Sequence, residues 1–187
     1  MLGIALRFAF ALALTTALLG VSSNRANAAD AAQIARGKYL VAVIGCGDCH
    51  TPGTFLGKPD MTHFLGGSDV GFGIPGRGVF VAPNLTPDKE TGLGTWTTKQ
   101  IVTALTTGKR PDGRVLAPIM PWQDFAHLKR WDAFAIAAYL KSLKPVKHAV
   151  PGPFGPNQKV SVFVMQPLPA DVFNNLPKPP APKHQAP

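Results

Sequence analysis

The chain contains little cysteine, little acid and few long apolar runs. It has two cysteines in 187 residues, and 10 aspartates and glutamates against 19 lysines and arginines. A structural zinc site needs about four ligands, usually from two cysteine pairs, so a single pair is a poor fit to zinc. The shortage of acid leaves a formal charge of +9, which favours contact with an acidic partner or an acidic surface.

The one long apolar run lies at the N-terminus. Arg7 precedes an apolar run over 8–19, and small residues then lead to an A-x-A site that ends at Ala28. This order is typical of a cleaved secretory signal peptide rather than of a membrane anchor. We therefore expect a signal peptide over 1–28, an exported periplasmic protein, and no transmembrane segment in the mature chain.

The mature chain keeps a formal charge of +7, and its basic residues are scattered singly. Scattered charge on an exported protein argues against a nucleic-acid partner. Two interpretations stay open: the charge keeps the protein soluble, or it guides docking to an acidic protein surface.

Three segments have apolar residues at helical spacing. The first covers 31–44, and the second lies between an N-cap at Thr95 and a C-cap at Gly108. The third begins near Leu128 and ends before Pro145. Its apolar positions are Trp131, Phe134, Ala135, Ala138 and Tyr139.

Glycine and proline dominate the rest of the chain. The glycines of 51–94 exclude a regular helix there, so we expect a long loop that wraps something other than the protein's own core. Prolines exclude a helical domain from 146–187. Within this extension the alternating valines of 160–164 predict a short extended piece, and 176–187 should be mobile or polyproline-like. The predicted fold is all-α, with a domain over 29–145 and an extended C-terminal tail.

Both cysteines lie in the stretch Cys46-Gly47-Asp48-Cys49-His50. A thioredoxin-like dithiol follows a strand, whereas a helical pattern precedes this pair. A disulfide across two residues would close a very small loop and stabilise little. Two thiols three positions apart, followed at once by a histidine, instead match the attachment of a c-type haem. One such motif predicts one haem c, bound through Cys46 and Cys49 with His50 on the iron.

A methionine or histidine would supply the second axial ligand. Met120 lies in APIMPW, where flanking prolines can hold a thioether at a fixed place. Met61 is the rival methionine, and His63 and His127 are less favoured candidates. A buried gap-filling methionine is the alternative role for Met120.

Four stretches carry a family resemblance: CGDCHT, APNLTPDKETGLGTW, ALTTGKRPDGRVLAPIMPW and WDAFAIAAYLKSL. They cover about 31–145. On these residues the chain resembles a class I (monohaem) cytochrome c, and is similar to the cytochrome c modules of bacterial alcohol and aldehyde dehydrogenase cytochrome subunits. The resemblance implies a cytochrome c fold in which the first and last helices cross near the haem. It implies contacts between Gly37, Tyr39 and Leu40 on the first helix and Phe134, Ala138 and Tyr139 on the last.

The resemblance also implies roles for single residues. The carbonyl of Pro83 would accept the proton-bearing nitrogen of His50, Leu85 would cover a haem face, and Met120 would complete the iron. Three further side chains could approach the ring edge or its propionates, or could be ordinary core aromatics and a surface arginine: Trp96, Arg110 and Trp122.

The function implied is one-electron transfer between a dehydrogenase and a respiratory acceptor, with no catalytic residues. Four lysines could guide weak, salt-sensitive docking to an acidic redox partner: Lys38, Lys58, Lys99 and Lys109. Three alternatives remain, namely a subunit fixed in a dehydrogenase complex, a haem enzyme or gas-binding protein with an open iron position, and a thiol-redox protein without haem.

Overall fold

The computed structural model describes residues 30–177, so the expected signal peptide and the last ten residues lie outside the described residues. The described part of helix α1 covers 30–43. The other described helices are α2 (Cys46–His50), α3 (Thr98–Thr107), α4 (Trp122–Phe125), α5 (Arg130–Ser142) and α6 (Ala170–Asn174). Two 3-10 turns, at Thr54–Leu56 and Met61–His63, follow α2, and the strands are β1 (Val70–Ile74), β2 (Gly78–Val81) and β3 (Phe163–Met165). Of the described helices, none is long and apolar enough to cross a membrane.

Helix α3 begins at a capping box. Thr97 Oγ1 accepts from Gln100 N at 3.2 Å, and Gln100 Oε1 accepts from Thr97 N at 2.8 Å. Two otherwise unpaired backbone donors are thus satisfied at once. The predicted cap at Thr95 was wrong by two residues because Thr97 has a glutamine three positions later. The predicted C-cap is confirmed, since Gly108 ends α3 in the left-handed region with φ 70°.

Helix α5 buries only part of the face expected: Ala135 is buried, and Phe134, Ala138 and Tyr139 are half-buried. Trp131 is 55% exposed, whereas Ile136 is 1% exposed. The large aromatic residues dominated the sequence pattern, but small alanines form the contact face because they let another helix approach. The buried apolar residues of α5 are Ala133, Ala135, Ile136, Ala137 and Leu140.

Helices α1 and α5 cross at Gly37. A Cβ at Gly37 would overlap the Ala135 carbonyl and would lie 2.8 Å from Tyr139 Cβ. The predicted crossing is therefore present. Tyr39 does not take part in the way expected, since it is 56% exposed and lies under the guanidinium of Arg36.

The all-α prediction was wrong because the structure contains a three-stranded mixed sheet in the order β2-β1-β3. β1 and β2 form an antiparallel hairpin, and β3 pairs with β1 in parallel. A Cβ at Gly71 would overlap Val79 Cγ1, and one at Gly73 would lie 3.3 Å from Val164 Cγ1. The glycines that argued against regular structure thus allow close packing within a sheet. The expected extended piece at 160–164 is found in part as β3.

One hydrophobic cluster lies beneath the helices. It joins residues from α1, α3 and α5 with two residues of the connecting segments, Leu65 and Leu93. Leu65 is fully buried although its backbone is left-handed, with φ 59°. Such a conformation is costly for a leucine and persists only where its surroundings impose it. The other buried members are Leu40, Val41, Ile101, Leu105, Ala133, Ile136, Ala137 and Leu140.

Candidate haem-binding site

Helix α2 brings the two cysteines and the histidine onto one short helix. It follows α1 after a turn in which Gly45 adopts the left-handed conformation, with φ 70°. Cys46, Cys49 and His50 then occupy positions 1, 4 and 5 of its five residues. A side chain larger than hydrogen at Gly47 would meet the ring of Phe64 at 3.0 Å. The motif is therefore folded as one compact turn against the following loop.

His50 is buried and held in one orientation. It is 5% exposed, and its Nδ1 lies 2.7 Å from the carbonyl oxygen of Pro83. A carbonyl can only accept, so Nδ1 carries the proton and Nε2 keeps a free lone pair. Burial lowers the pKa of His50, and the bond to Pro83 opposes that effect. The lowered pKa favours the neutral imidazole, the form that binds a metal.

The two cysteines are separate thiols. Burial raises the pKa of Cys46 to about 11, and burial also raises the pKa of Cys49, with the charge of Asp48 adding to both. Reactive dithiols have a lowered pKa, because the thiolate is the nucleophile. The surroundings of this pair do not favour redox exchange.

The side chains expected around a haem share one apolar wall. Cys46, Leu85 and Met120 all pack against the hydrophobic cluster. Met120 lies in a tight turn, in which Met120 N donates to Ala117 O at 3.0 Å and Trp122 N donates to Met120 O at 2.8 Å. The rival Met61 is 63% exposed on a 3-10 turn.

The alternative histidines are placed elsewhere. His63 Nδ1 donates to the Asp60 carboxylate at 2.6 Å, and its ring lies 5.9 Å from that of His148. His127 is exposed in the short segment between α4 and α5. Their surroundings are polar or solvated, unlike the apolar wall beside Met120.

Trp96, Arg110 and Trp122 also have defined neighbours. The guanidinium of Arg110 lies 5.2 Å from the centre of the Trp96 ring, and its Nε donates to Asp112 at 3.2 Å. A Cβ at Gly108 would lie 2.7 Å from the Trp122 indole. These contacts place Arg110 and Trp96 together, and Trp122 at the end of α3.

The sequence interpretation missed several residues that hold His50 and its loops. Gly67 N donates to His50 O at 2.8 Å. Leu65 N donates to Thr51 Oγ1 at 3.2 Å, and Leu85 N donates to Leu65 O at 2.8 Å. No pattern in the sequence signals Leu65, because its left-handed backbone arises from tertiary contacts.

Asn84 was also missed, although it lies beside Pro83 in a quoted motif. It is 1% exposed. A buried amide must find partners, and an asparagine placed between Pro83 and Leu85 is the signal that could have found it.

The chain matches cytochrome subunits among curated proteins. It is 36% identical over 138 residues to "Alcohol dehydrogenase (quinone), cytochrome c subunit" of Gluconobacter oxydans, covering 72% of this chain and 27% of that protein. It is 34% identical over 111 residues to "Fructose dehydrogenase cytochrome subunit" of Gluconobacter japonicus, covering 58% of this chain and 21% of that protein. It is 29% identical over 117 residues to "Diheme cytochrome c-type" of Cereibacter sphaeroides, covering 63% of this chain and 38% of that protein. No family model matched.

These matches confirm the resemblance to cytochrome c: the chain is a homologue of cytochrome c subunits of bacterial dehydrogenases and of a dihaem cytochrome c. It spans about a quarter of the length of the first two of these relatives.

The residues present fit the haem c that this homology implies. Two separate thiols and a buried imidazole share one helix, the imidazole keeps Nε2 for a metal, and an apolar wall lies beside them.

Proposed function

We propose that this protein transfers single electrons through one haem c, held by Cys46 and Cys49, with His50 and Met120 as axial ligands. The observation that carries the proposal is the bond between His50 Nδ1 and Pro83 O, at 2.7 Å in a buried site. It fixes the tautomer and leaves Nε2 for the iron. The count of one haem rests on the single motif in the chain.

The bound haem would supply iron that cycles between ferric and ferrous states. The protein's contribution is to attach the ring, fix His50 and surround the ring with apolar side chains, among them Leu85. Ligand identity, hydrogen bonding to the ligand and burial set the reduction potential of such a group. No substrate has to bind for this activity.

Met120 is the sixth ligand that the contacts favour. It is partly buried against the same cluster as Cys46, whereas Met61 and Met165 are 63% and 46% exposed. Ligation by methionine and histidine raises the potential of a haem relative to other ligand pairs, which suits a carrier between a dehydrogenase and a respiratory acceptor.

The proposed location is the periplasm, because haem c is attached to exported proteins. Four lysines are exposed and available to steer a weak encounter with an acidic redox partner. They are Lys38, Lys58, Lys99 and Lys109.

A second candidate is a subunit held permanently in a dehydrogenase complex. The names of two relatives describe cytochrome subunits of dehydrogenases, and 163–177 is exposed at every position. This stretch is apolar, with Phe163 and Phe173 at 66% and 65% exposure. If the candidate is right, tagged protein from its own host will co-purify with a polypeptide identified as a dehydrogenase catalytic subunit, and a chain ending at residue 160 will not. Purification of the full chain alone would favour the free carrier.

The main proposal is tested by producing the full chain in a host that attaches haem to exported proteins. We expect a mass that exceeds the processed polypeptide by one haem, and a spectrum that changes reversibly on reduction and oxidation. The variant with Cys46→Ala and Cys49→Ala should carry no covalent haem. Exported, folded protein with the mass of the bare polypeptide would overturn the proposal.

A further inference from the structure

The segment 146–154, called the strap here, crosses both loops that hold His50. One loop reaches the backbone of His50, because Gly67 N donates to His50 O at 2.8 Å. The other reaches its ring, because Pro83 O accepts from Nδ1 at 2.7 Å. The sequence predicted only an extended C-terminal tail from residue 146 onward, whereas the strap bonds to the neighbours of both Gly67 and Pro83.

Asn84 is the centre of the contact beside Pro83. Its Nδ2 donates to Val146 O at 2.7 Å and to Thr91 Oγ1 at 3.1 Å, with His148 O further away at 3.5 Å. Its Oδ1 accepts from Thr86 N at 2.9 Å and from Thr86 Oγ1 at 2.7 Å. The buried amide therefore uses both of its ends, and one end binds the strap.

Two hydroxyl groups complete this contact from the other side. Thr86 Oγ1 accepts from Val146 N at 3.0 Å, and Thr91 Oγ1 accepts from His148 N at 3.1 Å. Carbonyl and amide groups of the strap are thus both bound by side chains of 84–91. Buried hydrogen bonds of this kind are costly to leave unmade, so they fix the strap in one register.

The strap also binds the loop that carries Gly67. His148 Nδ1 donates to Gly66 O at 2.8 Å, and Val150 packs so closely that a Cβ at Gly67 would overlap it. Further along, the strap pairs with β2, where Val79 and Phe154 exchange two backbone hydrogen bonds of 2.9 Å. Both loops around His50 are therefore tied to one piece of backbone.

We infer that the strap and Asn84 position His50, and that Asn84 is a positioning residue for the haem histidine. The carbonyl of Pro83 belongs to the peptide unit that joins Pro83 to Asn84, so locking the Asn84 side chain sets the direction in which that carbonyl points. The inference rests on the proposed haem at His50 and adds a role for a segment beyond the predicted cytochrome domain.

The expected consequence is a change in reduction potential. A firm bond from Nδ1 to a carbonyl increases the basicity of a ligating histidine, which favours ferric over ferrous iron. Loosening the strap should weaken this bond and raise the potential. General loosening that admits water would stabilise the more highly charged ferric form and lower the potential, so the sign of the change separates the two effects.

The test compares Thr86→Val with Thr86→Ser in the full haem-loaded chain. Valine keeps the shape of threonine but removes the hydroxyl that joins Val146 to Asn84, whereas serine keeps it. We expect Thr86→Val to raise the midpoint potential and to make the His50 Nδ1 proton exchange at least tenfold faster in ferrous protein, as seen by NMR. Thr86→Ser should retain the parent values.

A second variant and a control accompany this pair. Asn84→Leu removes the Nδ2 donor to Val146 O without adding a charge, and should raise the potential further. Lys147→Ala removes only an exposed ion pair with Glu90 on the same strap, where the two side chains are 71% and 70% exposed, and should change neither readout. If Asn84→Leu does not fold into stable protein, the comparison of Thr86→Val with Thr86→Ser still tests the inference.

An unchanged or lowered potential in Thr86→Val, with a slowly exchanging Nδ1 proton, would overturn the inference. Failure of the parent chain to bind haem would instead overturn the proposed function, and the mass of the parent protein shows this before any variant is made.

Discussion

Arg36 Nε donates to Asp132 Oδ1 at 2.8 Å and thereby joins α1 to α5. The Asp132 side chain is 9% exposed, and Arg36 is its one side-chain partner among residues 30–177. The guanidinium also lies 5.4 Å from the Tyr39 ring and 5.0 Å from the Trp131 ring. The hydrogen bond to Asp132 is the main cause that raises the pKa of Arg36.

Arg36→Ala should destabilise the protein more than the double variant that also carries Asp132→Ala. The single change leaves a buried carboxylate without its donor. Such a group costs about 1–3 kcal/mol or more when its partner is removed. Urea unfolding of the haem-loaded protein measures the difference.

A matched control for this prediction is Arg130→Ala, since Arg130 stacks 5.5 Å from the Phe134 ring on the same helix and has no carboxylate partner in the described part of the chain. Equal losses for the two arginines would contradict the role of the ion pair.

Gly37→Ala should loosen the crossing of α1 and α5. An added methyl group overlaps the Ala135 carbonyl, and overpacking of this kind costs about 1–3 kcal/mol. In an exposed helix the same change would stabilise by about 0.5–1 kcal/mol, so the sign of the change is informative. Gly155→Ala is the control, because its nearest neighbour would be 3.6 Å away. A stabilised Gly37→Ala protein would show that the helices do not cross closely.

Met120→Ala should open the sixth position of the proposed haem. We expect ferrous protein to bind carbon monoxide readily and the midpoint potential to fall, since methionine ligation raises it. Met61→Ala and Met165→Ala, at exposed positions, should leave the spectrum and the potential unchanged. An altered spectrum in Met61→Ala, with Met120→Ala unaffected, would transfer the ligand role to Met61.

Asp88→Asn should make the free energy of unfolding less dependent on pH in the acidic range. Asp88 Oδ1 accepts from Thr91 Oγ1 at 2.7 Å and from Thr91 N at 2.7 Å, and the Thr91 hydroxyl is the main cause that holds the pKa of Asp88 below its ordinary value of 3.8. A lowered pKa means that the carboxylate stabilises the folded state above the unfolded value, and that this contribution is lost as the pH falls through the folded value.

The unsubstituted protein should therefore be more stable than Asp88→Asn at pH 7. The difference between their free energies of unfolding should shrink below about pH 4. Unfolding free energies at several pH values check this. Asp171→Asn on the exposed helix α6 is the control, and a gap of constant size down to pH 2 would contradict the prediction.

Local signals predicted the helices well and the sheet badly. The helix over 31–44 was confirmed, and Gly108 ends α3 as expected, because caps and spacing act within a few residues. The sheet was missed because β3 pairs with β1 across about ninety residues of chain. In β1 the large apolar residues Val70, Phe72 and Ile74 alternate with glycines, but glycine is unfavourable in strands, so this local signal was outweighed by the glycine content.

In the haem-binding site, too, local features could be predicted from the sequence and contacts between distant residues could not. The bond between His50 and Pro83 was expected from the family resemblance alone, and no spacing in the chain requires it. Asn84 and the strap were missed because the strap lies beyond the stretch that carries the resemblance, and a proline-rich segment has no periodicity from which to predict what it contacts.

The sequence by itself determined the chemistry of the motif. Cys46, Cys49 and His50 are neighbours on one turn, so their arrangement needs only local geometry. The tertiary structure decided which nitrogen of His50 carries the proton and which methionine lies beside the apolar wall. Those outcomes depend on a carbonyl 33 residues away and on packing among separate helices, and contacts over such distances exist only once the whole chain has folded.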